Sequence, residues 1–144
     1  MDWHKKGNAL VAGSADNTVW LWNANNGEFM HIFQGHAAAV TAGAFTPEGH
    51  SVVSVSEDAS LRVWNPKNGE AVHKIAGKYT KIFKSGIYII PNKGYGFHND
   101  IVTCLGFHPH LPVVVTGSID KTACLSNYST GKVNYFHFDY SLIQ

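Results

Sequence analysis

The chain has 144 residues, of which 44% are hydrophobic, 12% aromatic and 15% charged, and its formal net charge is +1. This length fits one domain, and this composition excludes a disordered tail, a coiled coil and a charge-driven nucleic-acid arm. Two cysteines do not build a disulfide framework, and reduced thiols are typical of intracellular proteins. With no signal peptide or long apolar run in the sequence, we expect a soluble cytoplasmic protein that is also found in the nucleus.

Three segments repeat along the chain, and each is aligned on an aspartate. Their sequences are DNTVWLWN from Asp16, DASLRVWN from Asp58 and DKTACLSN from Asp120. The first two aspartates are 42 residues apart and the next two are 62 apart, so 20 extra residues follow Gly77. A period of about 40–45 residues with glycine-containing turns is typical of one four-stranded propeller blade.

The second repeat shows the strand pattern most completely. Four short runs rich in valine and aromatic residues predict strands at 37–45, 51–55, 60–64 and 71–75, with Pro47 and Pro66 in the turns between them. In the first repeat, Trp20 and Trp22 alternate within a strand, so both point to one face, where we expect them to pack against a neighbour. The chain is therefore predicted to be all-β.

The second repeat also carries the residues of a family resemblance. A Gly-His pair ends at His36, Ser54 lies four residues before Asp58, and Trp64 lies six residues after it. With these residues the chain resembles WD-repeat β-propellers. The resemblance implies about three four-stranded blades of a larger, seven- or eight-bladed ring. It also implies a buried chain of hydrogen bonds from Asp58 through His36 and Ser54 to the Trp64 indole.

The other two repeats keep parts of this pattern. The third has His98, Thr116 and Asp120 in register but Ser126 in place of the tryptophan, and the first has Asp16 and Trp22. Because buried polar groups must be paired, we interpret the His-Asp-Ser set as a structural clamp and not as a catalytic triad. We therefore expect no enzyme activity and no cofactor. The predicted hydrogen-bond network comprises nine residues: His36, Ser54, Asp58, Trp64, His98, Thr116, Asp120, Asp16 and Trp22.

The repeats predict four segments. Residues 1–35 form a partial first repeat, 36–77 the second, 78–97 an insertion and 98–144 a third repeat with a divergent tail. This amounts to about 2.75 blades, whereas a propeller needs four to eight to close. Since each end would expose a large blade face, we expect a fragment of a longer propeller or completion by a partner.

The insertion differs from its surroundings in charge. It contains Lys78, Lys81, Lys84 and Lys93 and no acidic residue, so it carries +4 while the remainder carries −3. It is interpreted as a surface loop, as a basic partner-binding loop, or, for Tyr79–Lys93, as translated non-coding sequence. The tail Asn134–Gln144 has a similar composition and departs from the blade pattern.

A narrower resemblance rests on two stretches. These are GNALVAGS (7–14) followed by VWLWN (19–23), and AGAFTPEG (42–49) running into LRVWNPK (61–67). They resemble the angio-associated migratory cell protein family of eukaryotes, whose fungal relatives escort a newly made large-subunit ribosomal protein. The resemblance implies an acidic propeller face that holds a basic client. The alternative is a generic WD-repeat scaffold in ubiquitin-ligase substrate recognition or signalling.

Partner-binding positions follow from the same resemblance. They lie on the face where the inner strands begin and directly before each repeat aspartate. The expected residues are Ala15 in the first blade, Ala39, Thr41 and Glu57 in the second, and Ile101, Thr103 and Ile119 in the third. Glu57 is the one charged side chain among them, and a carboxylate matches a lysine or arginine of a client.

Other chemistry is not expected. His108 and His110 flank a proline, and neither Cys104 nor Cys124 has Cys-x-x-Cys spacing, so no metal site is predicted. Tyr88, Tyr95 and the insertion lysines offer an RNA contact only as a minor alternative. We therefore expect protein partners, and no nucleic acid, membrane or small-molecule substrate.

Overall fold

The fold consists of three β-sheets that follow the three sequence repeats. The computed structural model describes residues 1–76 and 97–134. The predicted insertion from residue 78 to 96, with Tyr88 and Tyr95, and the tail from residue 135 lie outside the described residues. Within them, all regular structure is β-strand.

Each sheet contains four strands, and we call the sheets blades 1, 2 and 3. Blade 1 comprises β1 (Asp2–Trp3), β2 (Ala9–Gly13), β3 (Thr18–Asn23) and β4 (Phe29–Gln34). Blade 2 comprises β5 (Val40–Phe45), β6 (Val52–Ser56), β7 (Ser60–Trp64) and β8 (Ala71–Ala76). Blade 3 comprises β9 (Val102–Phe107), β10 (Val113–Ser118), β11 (Ala123–Asn127) and β12 (Lys132–Asn134).

Every blade is an antiparallel meander in which consecutive strands pair. The pairing is in equivalent register in the three blades, since Ala12 lies opposite Trp20, Ser54 opposite Arg62, and Thr116 opposite Cys124. Because side chains alternate along a strand, each blade has two distinct faces. The register therefore turns equivalent residues of each repeat to equivalent faces.

The blades stack face to face through two apolar cores. The β7 face that carries Trp64 packs against Val19, Leu21 and Phe33 of blade 1. The opposite face, with Leu61 and Val63, belongs to the core that blade 2 shares with blade 3. The innermost strands are neighbours as well, because β5 contacts β1 and β9. This arrangement is that of consecutive blades of a partial β-propeller and confirms the predicted fold class.

Polar contacts cross both interfaces. Between blades 2 and 3, the Tyr128 hydroxyl donates to the Glu48 carboxylate at 3.0 Å, and the Thr41 hydroxyl donates to the Val102 carbonyl. Between blades 1 and 2, the Val40 amide donates to the Ser14 carbonyl at 3.0 Å. The stacking is thus fixed by directional bonds in addition to apolar burial.

The strand boundaries differ from the sequence-based prediction by single residues in β6 and β8 and in two further places. The first strand of blade 2 begins at Val40 and not at residue 37, because the preceding loop is hydrogen-bonded to the β6–β7 turn: the Ser56 hydroxyl donates to the Ala38 carbonyl. Asn134, assigned to the divergent tail, still belongs to β12 and pairs with Leu125.

Phe97, the last residue of the segment assigned to the insertion, lies in the interior of the stack. Its ring is 2% exposed and belongs to the core between blades 2 and 3. It contacts the neighbouring His98 ring edge-on, with the centroids 4.6 Å apart. Phe97 is therefore a core residue of blade 3.

Two sheet faces are turned away from the stack. In blade 1, Trp20 and Trp22 lie on the face opposite Val19 and Leu21 and stack on each other at 5.7 Å. We expected both tryptophans to pack against a neighbouring blade, but within the described residues they lie half-buried on an outer face of the stack. Blade 3 presents its other face, where Val115 is 43% exposed.

Candidate functional site

A buried chain of hydrogen bonds runs through blade 2 from its core to its edge. The Trp64 indole N–H donates to Ser54 Oγ at 2.8 Å, and Ser54 Oγ lies 2.7 Å from His36 Nε2. His36 Nδ1 lies 3.0 Å from Asp58 Oδ2. Because Ser54 already accepts from the indole, its hydroxyl donates to Nε2, and Nδ1–H then donates to Asp58. One histidine tautomer satisfies every member of the chain.

Asp58 collects further donors at the edge of the blade. The Ser60 hydroxyl donates to Oδ1 at 2.6 Å, and the Ala37 amide donates to Oδ2 at 2.9 Å. Burial raises the pKa of Asp58, but the hydrogen bonds from His36, Ser60 and Ala37 outweigh burial and hold it well below its usual value. Asp58 thus ties the loop before β5 to the β6–β7 turn as a carboxylate.

The order Ser-His-Asp resembles a nucleophilic triad, but its surroundings differ from one. Ser54 is fully buried and Trp64 is 1% exposed, so the serine hydroxyl has no path to a substrate carbonyl. The lone pair that would accept a proton on His36 is occupied by Ser54 within a packed core. In this setting the bonds orient side chains, and the geometry performs no nucleophilic chemistry.

Blade 3 builds the same connection with a threonine between the histidine and the aspartate. His98 Nδ1 lies 2.7 Å from Thr122 Oγ1, and the Thr122 hydroxyl donates to Asp120 Oδ1. The direct distance from His98 Nδ1 to Asp120 Oδ1 is 3.7 Å. His98 Nε2 lies 2.8 Å from Thr116 Oγ1. Burial raises the pKa of Asp120, but hydrogen bonds from Thr122 and the Asn99 amide lower it below its usual value.

The position of Trp64 in blade 3 is filled in a different way. Ser126 stands there fully buried, and its hydroxyl has no hydrogen-bond partner among the described residues. A β-carbon built on Gly35 of blade 2 would lie 3.2 Å from the Trp64 ring. The residue equivalent to Gly35 in blade 3 is Phe97, whose buried ring belongs to the core between blades 2 and 3.

Blade 1 contains only the aspartate end of the pattern. Asp16 accepts from the Thr18 amide at 3.0 Å and from the Thr18 hydroxyl. These two bonds lower the pKa of Asp16. Ala12 replaces the hydroxyl residue of the other blades, and Trp22 stacks on Trp20 at the outer face. Trp22 thus has the same strand register as Trp64, since it lies opposite Leu10 as Trp64 lies opposite Val52, but among the described residues no other blade covers its face.

The predicted partner-binding residues lie at one edge of the stack, which we call the partner edge. It consists of the loops before β5 and β9 and the turns β2–β3, β6–β7 and β10–β11. Backbone bonds pair the predicted residues: the Glu57 amide donates to the Ala39 carbonyl at 2.9 Å, and the Ile119 amide to the Ile101 carbonyl at 3.1 Å. Ala15 lies exposed in the corresponding turn of blade 1.

Thr41 and Thr103 lie at irregularities of the inner strands. Each is the extra residue where the pairing register shifts, in β5 and in β9 respectively. Their hydroxyls donate to backbone carbonyls, Thr41 to Val102 and Thr103 to Gly117. Bulges of this kind re-aim side chains at sheet rims. The Thr41 hydroxyl is thus engaged in blade stacking and offers a partner only its acceptor lone pair.

Sequence reasoning missed Asp100 and assigned Asp16 only to the hydrogen-bond network, but both are carboxylates on the partner edge. Asp100 is exposed beside Ile101, whose amide donates to it at 2.8 Å, and Asp16 is exposed in the blade 1 turn. With Glu57, the described part of this edge has three exposed carboxylates and one exposed cation, Lys121. Asp100 could have been predicted as a residue of this edge, because it lies two residues before β9 in the loop that forms part of the edge.

The described residues show neither a metal site nor a membrane span. No group of three or more histidine, cysteine, aspartate or glutamate side chains is arranged to hold a metal ion in residues 1–76 and 97–134. The rings of His108 and His110 are 6.3 Å apart. Burial, followed by the charge of Asp120, raises the pKa of Cys124 to about 11, which keeps this thiol protonated. No helix in this part of the chain is long and apolar enough to cross a bilayer.

Comparison with known families decides the class of the repeats. The model of the WD domain, G-beta repeat, matches residues 1–23, 27–65 and 91–126. The chain belongs to the WD-repeat family. WD repeats build scaffolds for protein–protein interaction, and the partner edge and the His-Asp connections of this chain lie within its matched WD repeats.

Three curated relatives are similar to most of this WD-repeat chain. They are the angio-associated migratory cell proteins of Homo sapiens, Pongo abelii and Canis lupus familiaris, each 32% identical over 133 residues. The alignment covers 92% of this chain and 26% of each relative. The chain thus spans about a quarter of the length of the relatives it matches.

Proposed function

We propose that this chain contributes a binding edge to a WD-repeat scaffold that escorts a basic protein. The proposal is carried by the charge of the partner edge. On its described part, Asp16, Glu57 and Asp100 are exposed carboxylates and Lys121 is the exposed cation. Carboxylates at such an edge attract a lysine- or arginine-rich segment and increase its rate of association.

The finer identity of the client rests on the family resemblance. The escort-type relatives named by the resemblance hold a new large-subunit ribosomal protein, which is basic and needs shielding until assembly. We propose the same class of client here, with contacts at Ala15, Ala39, Thr41, Glu57, Ile101, Thr103 and Ile119. Escort of a ribosomal protein would take place in the cytoplasm and the nucleus.

A second candidate is a scaffold for a less basic partner, in ubiquitin-ligase substrate recognition or signalling. Ile119 is 53% exposed beside the half-buried Ile101, so the blade 3 part of the partner edge also exposes apolar surface. Exposed apolar groups at a binding edge favour a client that inserts a hydrophobic side chain. The relative contributions of Glu57 and Ile119 to the binding affinity therefore distinguish the two candidates.

The test is a charge reversal at Glu57 in the complete gene product. Glu57→Lys is expected to weaken binding of a lysine- and arginine-rich ribosomal-protein segment about ten-fold at low salt, because an attraction becomes a repulsion. The melting temperature should change little, since the side chain is exposed. Binding is measured by isothermal titration at two salt concentrations.

Glu70→Lys is the matched control, because it makes the same charge change in the β7–β8 turn at the opposite strand ends. It should leave the affinity unchanged. Equal affinities of the parent and Glu57→Lys at low salt would count against the basic client. A loss of binding with Ile119→Ser but not with Glu57→Lys would favour the second candidate.

A further inference from the structure

Two cations lie side by side on the outer strands of blade 2. Arg62 of β7 pairs directly with Lys74 of β8, so the two side chains leave the same face of the sheet. The neighbour of Arg62 on β6 is Ser54, which is fully buried, whereas Arg62 is half-buried and Lys74 is exposed. This row of residues therefore runs from the buried hydrogen-bond chain of the blade to its surface, where it ends in two positive charges.

The guanidinium of Arg62 is held in place but has no partner for its charge. It lies over the Trp64 ring, with Cζ 5.8 Å from the ring centroid. Its Nε atom is buried and has no hydrogen-bond partner in the described structure. Within the described residues, no carboxylate forms a salt bridge with Arg62 or Lys74. Because burial of a polar group without a hydrogen bond is destabilising, an anion bound at the guanidinium would offset this cost.

The fold itself does not require cations at these two positions. Like charges directly opposite each other in a sheet repel and lower its stability. In blade 1 the corresponding pair is Trp20 and Ile32, and in blade 3 Cys124 stands at the position of Arg62. The cation pair is thus specific to blade 2 in the described structure, and binding of an anion accounts for a juxtaposition that otherwise lowers stability.

Gly35 leaves space beside the guanidinium. A β-carbon built on Gly35 would lie 2.8 Å from Arg62 Nη1, so a side chain there would have to displace the guanidinium. Gly35 also has a φ of +156°, a conformation that other residues rarely adopt. Unlike Nε, the two Nη atoms of Arg62 are not buried. A ligand can therefore contact the Nη groups directly.

We propose that Arg62 and Lys74 form a binding site for a phosphoryl group. A guanidinium offers two parallel N–H donors to phosphate oxygens, and a lysine adds a compact charge. The two cations match the charge of about −1.5 to −2 that a phosphorylated side chain carries at pH 7, whereas a carboxylate would balance only one of them. A nucleic acid fits less well, since nucleic acids bind basic stripes with many phosphate contacts.

This site is independent of the proposed function. Its ligand is negatively charged, whereas the partner edge is proposed to attract a basic client. Lys74→Gln should therefore leave binding of the basic client unchanged, and Glu57→Lys should leave binding of phosphate unchanged. Loss of one activity does not imply loss of the other.

The first test titrates inorganic phosphate into the ¹⁵N-labelled full chain at constant ionic strength. We expect the Nε–H signal of Arg62 and the amide signal of Lys74 to shift and to reach saturation. Arg62→Gln should weaken binding about ten-fold, because charge-assisted hydrogen bonds are lost. Lys74→Gln should weaken it about five-fold, because one nearby charge is lost.

Lys67→Gln is the matched control, because it removes an exposed lysine from the β7–β8 turn, and it should leave the affinity for phosphate unchanged. Lys74 is exposed as well, so Lys74→Gln tests the site without disturbing the contact of Arg62 with Trp64. Shifts that do not saturate would overturn the proposal. An equal loss of affinity with Lys67→Gln and Lys74→Gln would also overturn it.

The second test identifies the source of the phosphoryl group. The same titration is made with an end-blocked glycine–serine peptide that carries one phosphoserine, and with the same peptide carrying glutamate at that position. Tighter binding of the phosphopeptide than of inorganic phosphate would assign the site to a phosphorylated side chain of a partner protein, and the reverse order would assign it to free phosphate. Equal affinities for the phosphoserine and glutamate peptides would overturn the choice of a phosphoryl group.

Discussion

Blades 2 and 3 carry the same repeat but fill their interiors differently. Blade 2 combines the buried Trp64 with a glycine before its histidine, whereas blade 3 combines Ser126 with Phe97. The two blades thus carry a large buried ring at different positions of the repeat. What the two blades share is therefore a filled interior and not a residue at a given position.

The polar ends of the two blades differ as well. In blade 2 the histidine contacts the aspartate directly at 3.0 Å, while in blade 3 the hydroxyl of Thr122 lies between them and the distance is 3.7 Å. A hydrogen bond to an ionised group contributes more than one between neutral groups. The comparison indicates that blade 2 is held more firmly at the partner edge than blade 3.

The largest effect is expected at Trp64. Trp64→Ala removes a ring that is 1% exposed together with its hydrogen bond to Ser54. We expect a loss of about 3–5 kcal/mol in the free energy of unfolding, measured by urea denaturation. Trp22→Ala, at the half-buried equivalent position of blade 1, is the control and should lose less than half as much. Similar losses for the two variants would contradict the difference between the blades.

The next effect separates the two aspartates. Asp58→Asn removes the carboxylate that accepts directly from His36, and we expect a loss of about 1.5–3 kcal/mol at pH 7. Asp120→Asn should lose less, because its carboxylate reaches His98 through Thr122. Urea denaturation of both variants measures this order, and the reverse order would contradict it.

The same pair gives a dependence on pH. Since the folded-state pKa of Asp58 lies below its unfolded value near 4, its stabilising contribution is complete above that value and decreases as the pH falls towards the folded pKa. The difference in unfolding free energy between the parent and Asp58→Asn should thus shrink as the pH drops from 7 to below 4. A constant difference over this range would exclude the carboxylate as its source.

A smaller effect tests the exchange of ring positions. Ser126→Trp alone adds a ring to an interior that Phe97 already fills, and Phe97→Gly alone leaves a cavity, so each is destabilising. The double variant restores the pairing of blade 2, and we expect a favourable coupling of about 1–2 kcal/mol. A double-mutant cycle measures it, and strictly additive losses would show that the two positions are independent.

The smallest expected effect is a gain. The Ser126 hydroxyl is buried without a hydrogen-bond partner in the described structure, so Ser126→Ala removes an unsatisfied polar group. The free energy of unfolding should rise by up to about 1 kcal/mol. Ser54→Ala is the matched control in blade 2, where loss of a hydroxyl bonded to Trp64 and His36 should be destabilising. A loss with Ser126→Ala would indicate a partner for that hydroxyl.

The sequence predicted the blades because their period is local and repeated. Alignment on Asp16, Asp58 and Asp120 predicted three copies of a four-stranded unit, with the four strands assigned in the second repeat. The residues of the blade 2 clamp could also be identified from the sequence. A buried histidine, serine and aspartate need hydrogen-bond partners, and the family resemblance indicates their positions.

The features that the sequence did not predict depend on small differences in distance or on how other residues pack. Whether His98 contacts Asp120 or Thr122 is decided by such a distance, because both are in register with it. Phe97 was assigned to the insertion because the 20 extra residues were placed after Gly77 and the third repeat was started at His98. The outer position of Trp22 follows from the stacking order of the blades, which a single repeat does not encode.

The central claim is that the three repeats are blades stacked through alternate faces. Nuclear Overhauser contacts test it most directly in the folded chain. We predict contacts between the rings of Phe33 and Trp64, across blades 1 and 2, and between Glu48 and the Tyr128 ring, across blades 2 and 3. A folded sample that shows strand pairing within each repeat but lacks both contacts would contradict the stacked arrangement.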